Sequence, residues 1–254
     1  MPPISKTFIA SLLSGLIVAA CGGGGSSGGS GTGAATTFPL STALANLYAS
    51  GFQKTLTVTG TATSISNNTS YPFTAPLTVS EGPASAGTFQ NQPARQIAVS
   101  LAGTFNVNGS PGAFSSTTQD FLSPGNLLLG TTTSTSTSSS RCVANTPGQY
   151  PDTVTVGLTQ SVVTYVCVDT STNASIGTGK LDFIVSAGNS PGTAIFSTLE
   201  RFLDTNGNLA QFTQKNYLIT TSGTISLQSL SFVGALVSSG ATTPSDLQFT
   251  FNSQ

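Results

Sequence analysis

Polar and apolar residues alternate along most of this chain. Leu56 and Val58 sit between Thr55, Thr57 and Thr59. Ile97, Val99 and Leu101 enclose Ala98 and Ser100. Leu181, Phe183 and Val185 follow Lys180 and enclose Asp182, and Leu247, Phe249 and Phe251 enclose Gln248 and Thr250. A period of two marks an antiparallel strand with one packed face and one wet face. Such segments recur about every 10 to 20 residues, roughly a dozen in all, which predicts an all-β domain. Its expected form is an antiparallel curved sheet, half-barrel or sandwich. Val162 to Val168 is apolar or β-branched in both phases, so it is predicted to be a central strand.

The punctuation between strands is also legible. Thr193–Leu203 and Asn208–Thr220 flank Asp204-Thr205-Asn206-Gly207. An Asp that bonds its own backbone, followed by a Gly able to turn left-handed, predicts a hairpin. Ile225 and Leu227 fall out of phase with Leu230 and Phe232, which predicts a bulge at Gln228-Ser229. Thr131 to Ser140 is low in complexity and is expected to be a polar loop.

Only one segment has helical spacing. Leu40, Ala43, Leu44, Leu47 and Tyr48 form an apolar stripe after Ser41, a candidate cap, and before Gly51, a candidate stop. Ahead of it, residues 22 to 37 are Gly, Ser, Thr and Ala, which form no core and behave as a flexible coil spanning roughly 20 Å.

The first 20 residues read as an export leader, with Lys6 in a short basic region and Phe8 to Ala20 as the apolar stretch. That stretch falls short of the roughly 20 apolar residues of a membrane span. Val18-Ala19-Ala20 precedes Cys21, and four glycines follow it. This arrangement resembles a bacterial lipoprotein lipobox. It implies cleavage before Cys21 and a lipid on its thiol, and Gly22 in place of Asp favours the outer membrane. The domain plan is a signal peptide (1–20), a lipidated Cys21 with its tether (21–37) and a single β-rich domain (38–254).

Composition removes several function classes. The chain has 7 Lys+Arg, 8 Asp+Glu and a net charge of −1. Its basic residues (Lys54, Arg95, Arg141, Lys180, Arg201, Lys215) are dispersed along the chain, and a phosphate-binding surface needs them clustered, so no nucleic-acid partner is expected. The membrane link rests on Cys21. In an exported chain the remaining pair, Cys142 and Cys167, is expected to form a disulfide. With no His in the chain and no C-x-x-C spacing, a metal or redox pair is disfavoured, and neither metal nor cofactor is expected.

The absence of His also excludes a Ser-His-Asp triad. The G-x-S-x-G match at Gly188–Gly192 lies between two strands, with Pro191 where an oxyanion N–H would be needed, so a turn is expected there. Asp204-Thr205-Asn206-Gly207 lacks the Gly and Glu of a calcium loop. The acids Glu81, Asp120, Asp152, Asp169, Asp182, Glu200, Asp204 and Asp246 are joined by no motif, and no catalytic residue is assigned.

Four stretches carry a resemblance: Phe38-Pro39-Leu40 running to Ser50-Gly51, Leu56-Thr57-Val58-Thr59-Gly60, Val154-Thr155-Val156-Gly157, and Leu203–Leu209 running to Tyr217. They are similar to a β-rich lipoprotein family of Gram-negative, β-proteobacterial type that has no assigned activity. The resemblance implies an envelope lipoprotein and transfers no functional residue. The first functional expectation is therefore a non-enzymatic structural or binding module whose partner is an envelope protein or an apolar ligand. A periplasmic carrier of lipid or another apolar ligand in a half-barrel is the alternative, and a carboxylate-based glycan hydrolase is third. An open apolar cavity would favour the carrier, and two carboxylates in a cleft the hydrolase.

Overall fold

The structure is a computed structural model that describes residues 36–64, 68–107, 110–134, 139–235, 237–239 and 247–253. The leader, Cys21 and the glycine-rich segment through residue 35 lie outside the described residues. Everything described belongs to the compact unit Ala35–Gln254.

A short strand β1 (Thr37–Phe38) leads into helix α1 (Leu40–Ser50). Strands β2 (Phe52–Ser64), β3 (Ser70–Glu81), β4 (Ser85–Phe89), β5 (Gln92–Val107), β6 (Ser110–Leu122), β7 (Leu128–Ser134) and β8 (Ser139–Gly148) follow. After the two-residue β9 (Val154–Thr155) come β10 (Thr159–Asp169), β11 (Ser175–Ala187), β12 (Thr193–Asp204), β13 (Leu209–Thr220), β14 (Ile225–Ala235), β15 (Val237–Ser239) and β16 (Leu247–Ser253).

Among the described residues, twelve of these strands make one antiparallel ring. From β6 it runs through β7, β8, β10, β11, β12, β13, β14, β16, β2 and β3 to β5, and β5 pairs back with β6 from Arg95↔Leu122 to Val107↔Ser110. That last ladder turns the expected curved sheet into a closed barrel, neither a sandwich nor an open half-barrel. Closure matters because a ring has no unpaired edge. Outside the ring, β4 folds back on β5, β15 pairs with β6, and β1 pairs with β9.

Alternation then sorts the side chains. On β2, Leu56, Val58 and Ala62 point inward and are buried, whereas Thr55, Thr57 and Thr61 are exposed. A barrel of about eight strands is just filled by its own side chains, so a wider ring needs bulkier filling. Phenylalanine supplies it. Phe73, Phe105, Phe249 and Phe251 interlock, with ring centroids 5.2 Å apart for Phe105–Phe249 and 5.9 Å for Phe73–Phe249. Phe183 and Phe196 pack 5.4 Å apart elsewhere in the same core.

Helix α1 adds Leu40, Ala43, Leu44 and Leu47 to that core. It starts at Leu40 with Pro39 in the cap position and no side-chain cap. Ser41, the expected cap, is instead in the first turn, and its N–H donates to the Asp152 carbonyl (3.0 Å). Gly51 ends the helix at φ +63°, its N–H donating to the Leu47 carbonyl at 2.7 Å. A Cβ there would lie 2.6 Å from the Glu81 carbonyl oxygen, so only glycine lets the end of β3 approach the helix.

The hairpin joins β12 to β13: the Asp204 carboxylate accepts the N–H groups of Asn206 and Asn208, and Gly207 takes φ +82°. The bulge is present too, because Asn216 faces Ser229 while Tyr217 faces Leu227, leaving Gln228 as the extra residue. Val162–Val168 does lie in an interior strand, since β10 pairs with both β8 and β11, but only one of its faces is packed and Val166 is 45% exposed. One expectation is corrected. Within the predicted loop from 131 to 140 the described residues are strand, since Thr131–Ser134 belongs to β7 and Ser139 opens β8, and residues 135–138 lie outside the described residues. Threonine is at home on a pleated surface, which low complexity concealed.

Cys142 and Cys167 face each other across β8 and β10 and are joined by a disulfide that closes a loop of sequence separation 25. In the chain-entropy account such a link contributes roughly 3 kcal/mol. The Cys142→Ala/Cys167→Ala double variant is expected to keep the barrel's circular dichroism and to lose about that much stability in urea unfolding. No change in the urea midpoint would contradict a structural role for the bond.

Candidate functional site

The inward phase of several strands carries charge where apolar residues are the rule. On β3, Phe73, Ala75, Leu77 and Val79 are buried, and Glu81 follows them in the same phase, 7% exposed. On β12 Glu200 shares its phase with Ala194 and Phe196. On β13 Lys215 shares its phase with Tyr217 and Ile219. Asp120 stands opposite Ile97 on one side and Thr131 on the other. The ring therefore brings Glu81, Asp120, Glu200 and Lys215 into one layer of the lumen.

These four groups line a cavity of about 80 Å³, together with Tyr48, Tyr150, Tyr165, Tyr217, Thr131 and Thr213. A second cavity of about 50 Å³ shares Asp120, Glu200, Thr213 and Lys215 with it and continues past Val99, Ser116 and Gln211. The layer holds both glutamates of the chain and four of its five tyrosines. Glu200 is exposed and Asp120 half-buried, and both line the two cavities. The surface they expose is the wall of the lumen.

The pairing inside the layer is uneven. Lys215 Nζ is 3.6 Å from Glu81 Oε2, and the Tyr217 hydroxyl donates to the same oxygen at 3.4 Å. Among the described residues, no donor is within hydrogen-bond distance of the Asp120 or Glu200 carboxylates. Burial, reinforced by the negative charge of Glu200, raises Asp120 from 3.8 to about 7. Burial raises Glu200 as well, against the opposing pull of Lys215. For Lys215 burial works downward, but Glu81, Asp120 and Glu200 together outweigh it and raise its pKa, so the ammonium stays charged. Burial lifts all four tyrosines, which keeps their hydroxyls protonated as donors.

The other acids have local duties. Asp182 joins Lys180 (3.1 Å) and Arg201 (2.7 Å) on the outer surface. Asp169 accepts the Ser171 hydroxyl and the Ser171 and Thr172 N–H groups, and Asp204 accepts the Asn208 and Asn206 N–H groups, and these bonds lower both pKa values. The G-x-S-x-G segment is the turn between β11 and β12, with the Thr193 hydroxyl donating to the Ser190 carbonyl at 2.6 Å. Two exterior depressions, one along Gly188–Thr193 and one along Pro76, Thr78 and Ala102–Thr104, contain no acid or base. Of the residues singled out by sequence, Cys142 and Cys167 are joined and face inward near Tyr165, and Cys21 is outside the described residues.

The interior layer escaped sequence reasoning, although a signal was present. An acid that continues an apolar phase, as Glu81 does after Val79, faces inward if the strand register holds. No sequence feature tells which four such residues meet. No protein-family model, curated protein or solved structure matches the chain, so the layer rests on its own geometry.

The raised carboxyls fix a pH dependence. Folded Asp120 keeps a proton between its ordinary pKa of 3.8 and about 7, a window in which the unfolded chain has lost it. The folded state then binds more protons, so stability falls as pH rises through that window. Glu200 acts in the same sense. The lowered exterior Asp residues act in the opposite sense, and only as pH falls below about 4. Urea unfolding is expected to show stability declining between about pH 4 and 8, by at most about 1.4 kcal/mol per pH unit from Asp120. Asp120→Asn should flatten that slope. An unchanged slope in the variant would contradict the placement of Asp120 in the lumen.

Proposed function

We propose that this chain is a lipid-tethered, non-enzymatic binding module of the Gram-negative cell envelope whose ligand site is the polar layer of the barrel lumen. The observation that carries this reading is the concentration of both glutamates, Asp120, Lys215 and four tyrosines around one internal cavity. A low-charge chain that places four ionisable side chains inside a ring otherwise filled with phenylalanine incurs a desolvation cost. A ligand that completes their pairing offsets that cost.

The size of the cavity narrows the alternatives. Sites for drug-sized ligands measure about 300–1,000 Å³, and a lipid acyl chain or a glycan needs an open cleft. About 80 Å³, lined by carboxylates and hydroxyls together with Leu44, Leu47, Ile97, Leu122, Leu128, Leu181 and Phe196, suits a small solute instead, and that volume disfavours both a lipid carrier and a glycan hydrolase. The exterior supports display on a tether. Membrane-spanning barrels carry an apolar band outside and polar residues inside, whereas β2 here presents exposed Thr55, Thr57 and Thr61 outward and buried Leu56, Val58 and Ala62 inward. Among the described residues no helix is long and apolar enough to cross a membrane. Attachment in this reading rests on Cys21, with the segment from Cys21 up to β1 as the tether and the outer membrane as the site; Thr37, counted with the tether from sequence, belongs to β1.

Cys21→Ser is expected to move the protein from the membrane to the soluble envelope fraction and to abolish incorporation of labelled fatty acid, while leaving the barrel's circular dichroism unchanged. Equal membrane retention of wild type and variant, with no label on either, would overturn the anchored reading.

A further inference from the structure

We infer that the lumen binds a small organic cation, a primary ammonium of a few heavy atoms, held between the carboxylates of Asp120 and Glu200 and against the tyrosine rings. This rests on the reading of the lumen as a ligand site and names its ligand class.

Charge is the first argument. The layer contains three carboxylates and one ammonium, and that ammonium is engaged by Glu81 at 3.6 Å. Asp120 and Glu200 line both cavities and lack a hydrogen-bond donor among the described residues. A carboxylate that lines a protein cavity without a donor from the protein is left unpaired there. These two face empty space, so a donor arriving from outside can reach them.

The walls are the second argument. Tyr48 comes from α1, Tyr150 from the segment after β8, Tyr165 from β10 and Tyr217 from β13, and all four border the 80 Å³ cavity. Aromatic rings attract cations, more strongly where water is excluded. The hydroxyls of Thr131 and Thr213 add acceptors for remaining N–H groups.

The third argument separates an organic cation from a metal ion. Metals need several oxygen ligands converging within about 2.0–2.6 Å of the ion. Among the described residues no three His, Cys, Asp or Glu side chains converge closely enough to hold one. The carboxylates are therefore spread more widely than a coordination sphere and match an ammonium that reaches different partners with different hydrogens. A neighbouring cavity adjoins the site. A 120 Å³ cavity at the rim, bordered by Ser41, Gln149 and Asp152, shares Leu44, Tyr48 and Tyr150 with the lumen cavity.

The same groups fix how binding responds to pH. The titratable groups facing the site are Glu81, Asp120, Glu200, Lys215 and the four tyrosines, and Asp120 is the one that changes charge near neutrality. A cation favours its ionised form, so binding expels a proton and tightens as pH rises.

Isothermal titration of the full-length protein, solubilised in a non-ionic detergent, tests this with methylammonium, ethylammonium, glycerol, acetate, potassium and calcium. Methylammonium and ethylammonium are expected to bind about tenfold more tightly at pH 8 than at pH 6, with proton release that depends on the buffer. Asp120→Asn and Glu200→Gln should each weaken binding at least tenfold, and near-UV circular dichroism reports whether each variant is folded. Glycerol or acetate binding as well as the ammonium ions, or calcium or potassium binding better, would overturn the cation assignment and leave the lumen as a site for another ligand. The assignment also fails if ammonium binding is the same in both variants. Absence of binding by every probe would overturn both the assignment and the lumen reading.

Discussion

The pairing of β5 with β6 closes the sheet, and that closure fixes the width of the space the chain must fill. Each strand contributes an inward residue at every second position, and twelve strands enclose more volume than those residues fill when they are Val, Leu and Ala. The chain meets the demand with Phe73, Phe105, Phe232, Phe249 and Phe251 in one part of the lumen, and with Phe183, Phe196 and the leucines of α1 in another. Gly51 belongs to the same solution, because the helix can pack against the end of β3 only if no Cβ stands between them.

Where the large apolar side chains stop, the polar layer begins. Its members are placed by register alone: Asp120 opposite Thr131, Glu200 opposite Thr213, Lys215 between Thr198 and Leu230. Lys215 satisfies one carboxylate and leaves two others facing space. Adding a methylene to a packed core costs free energy and so does removing one, but an enclosed carboxylate without a partner costs more than either. The layer is therefore the part of the barrel least explained by stability.

The elements that depend on nearby residues were readable from sequence: the alternation of β2 and β16, the Asp204–Gly207 hairpin, the Gln228 bulge and the stripe of α1. The disulfide was readable because only two cysteines remained after Cys21. Ring closure was not, since it depends on β5 meeting β6 along its whole length while also sharing its other edge between β3 and β4. The strand character of Thr131–Ser134 was hidden by its composition, and the wet face of Val166 by an apolar neighbourhood. The cluster of Glu81, Asp120, Glu200 and Lys215 joins residues from four strands, and no local pattern encodes that meeting.

Asp120 reports most directly on this account. Carboxyl carbon-13 NMR of the folded protein, with Asp120→Asn used to assign the resonance, follows its protonation through pH. An enclosed lumen with too few cations predicts a midpoint near 7, far above the ordinary 3.8. A midpoint near the ordinary value would mean that Asp120 meets solvent or a full partner, and would contradict the enclosed and underpaired layer on which the account rests.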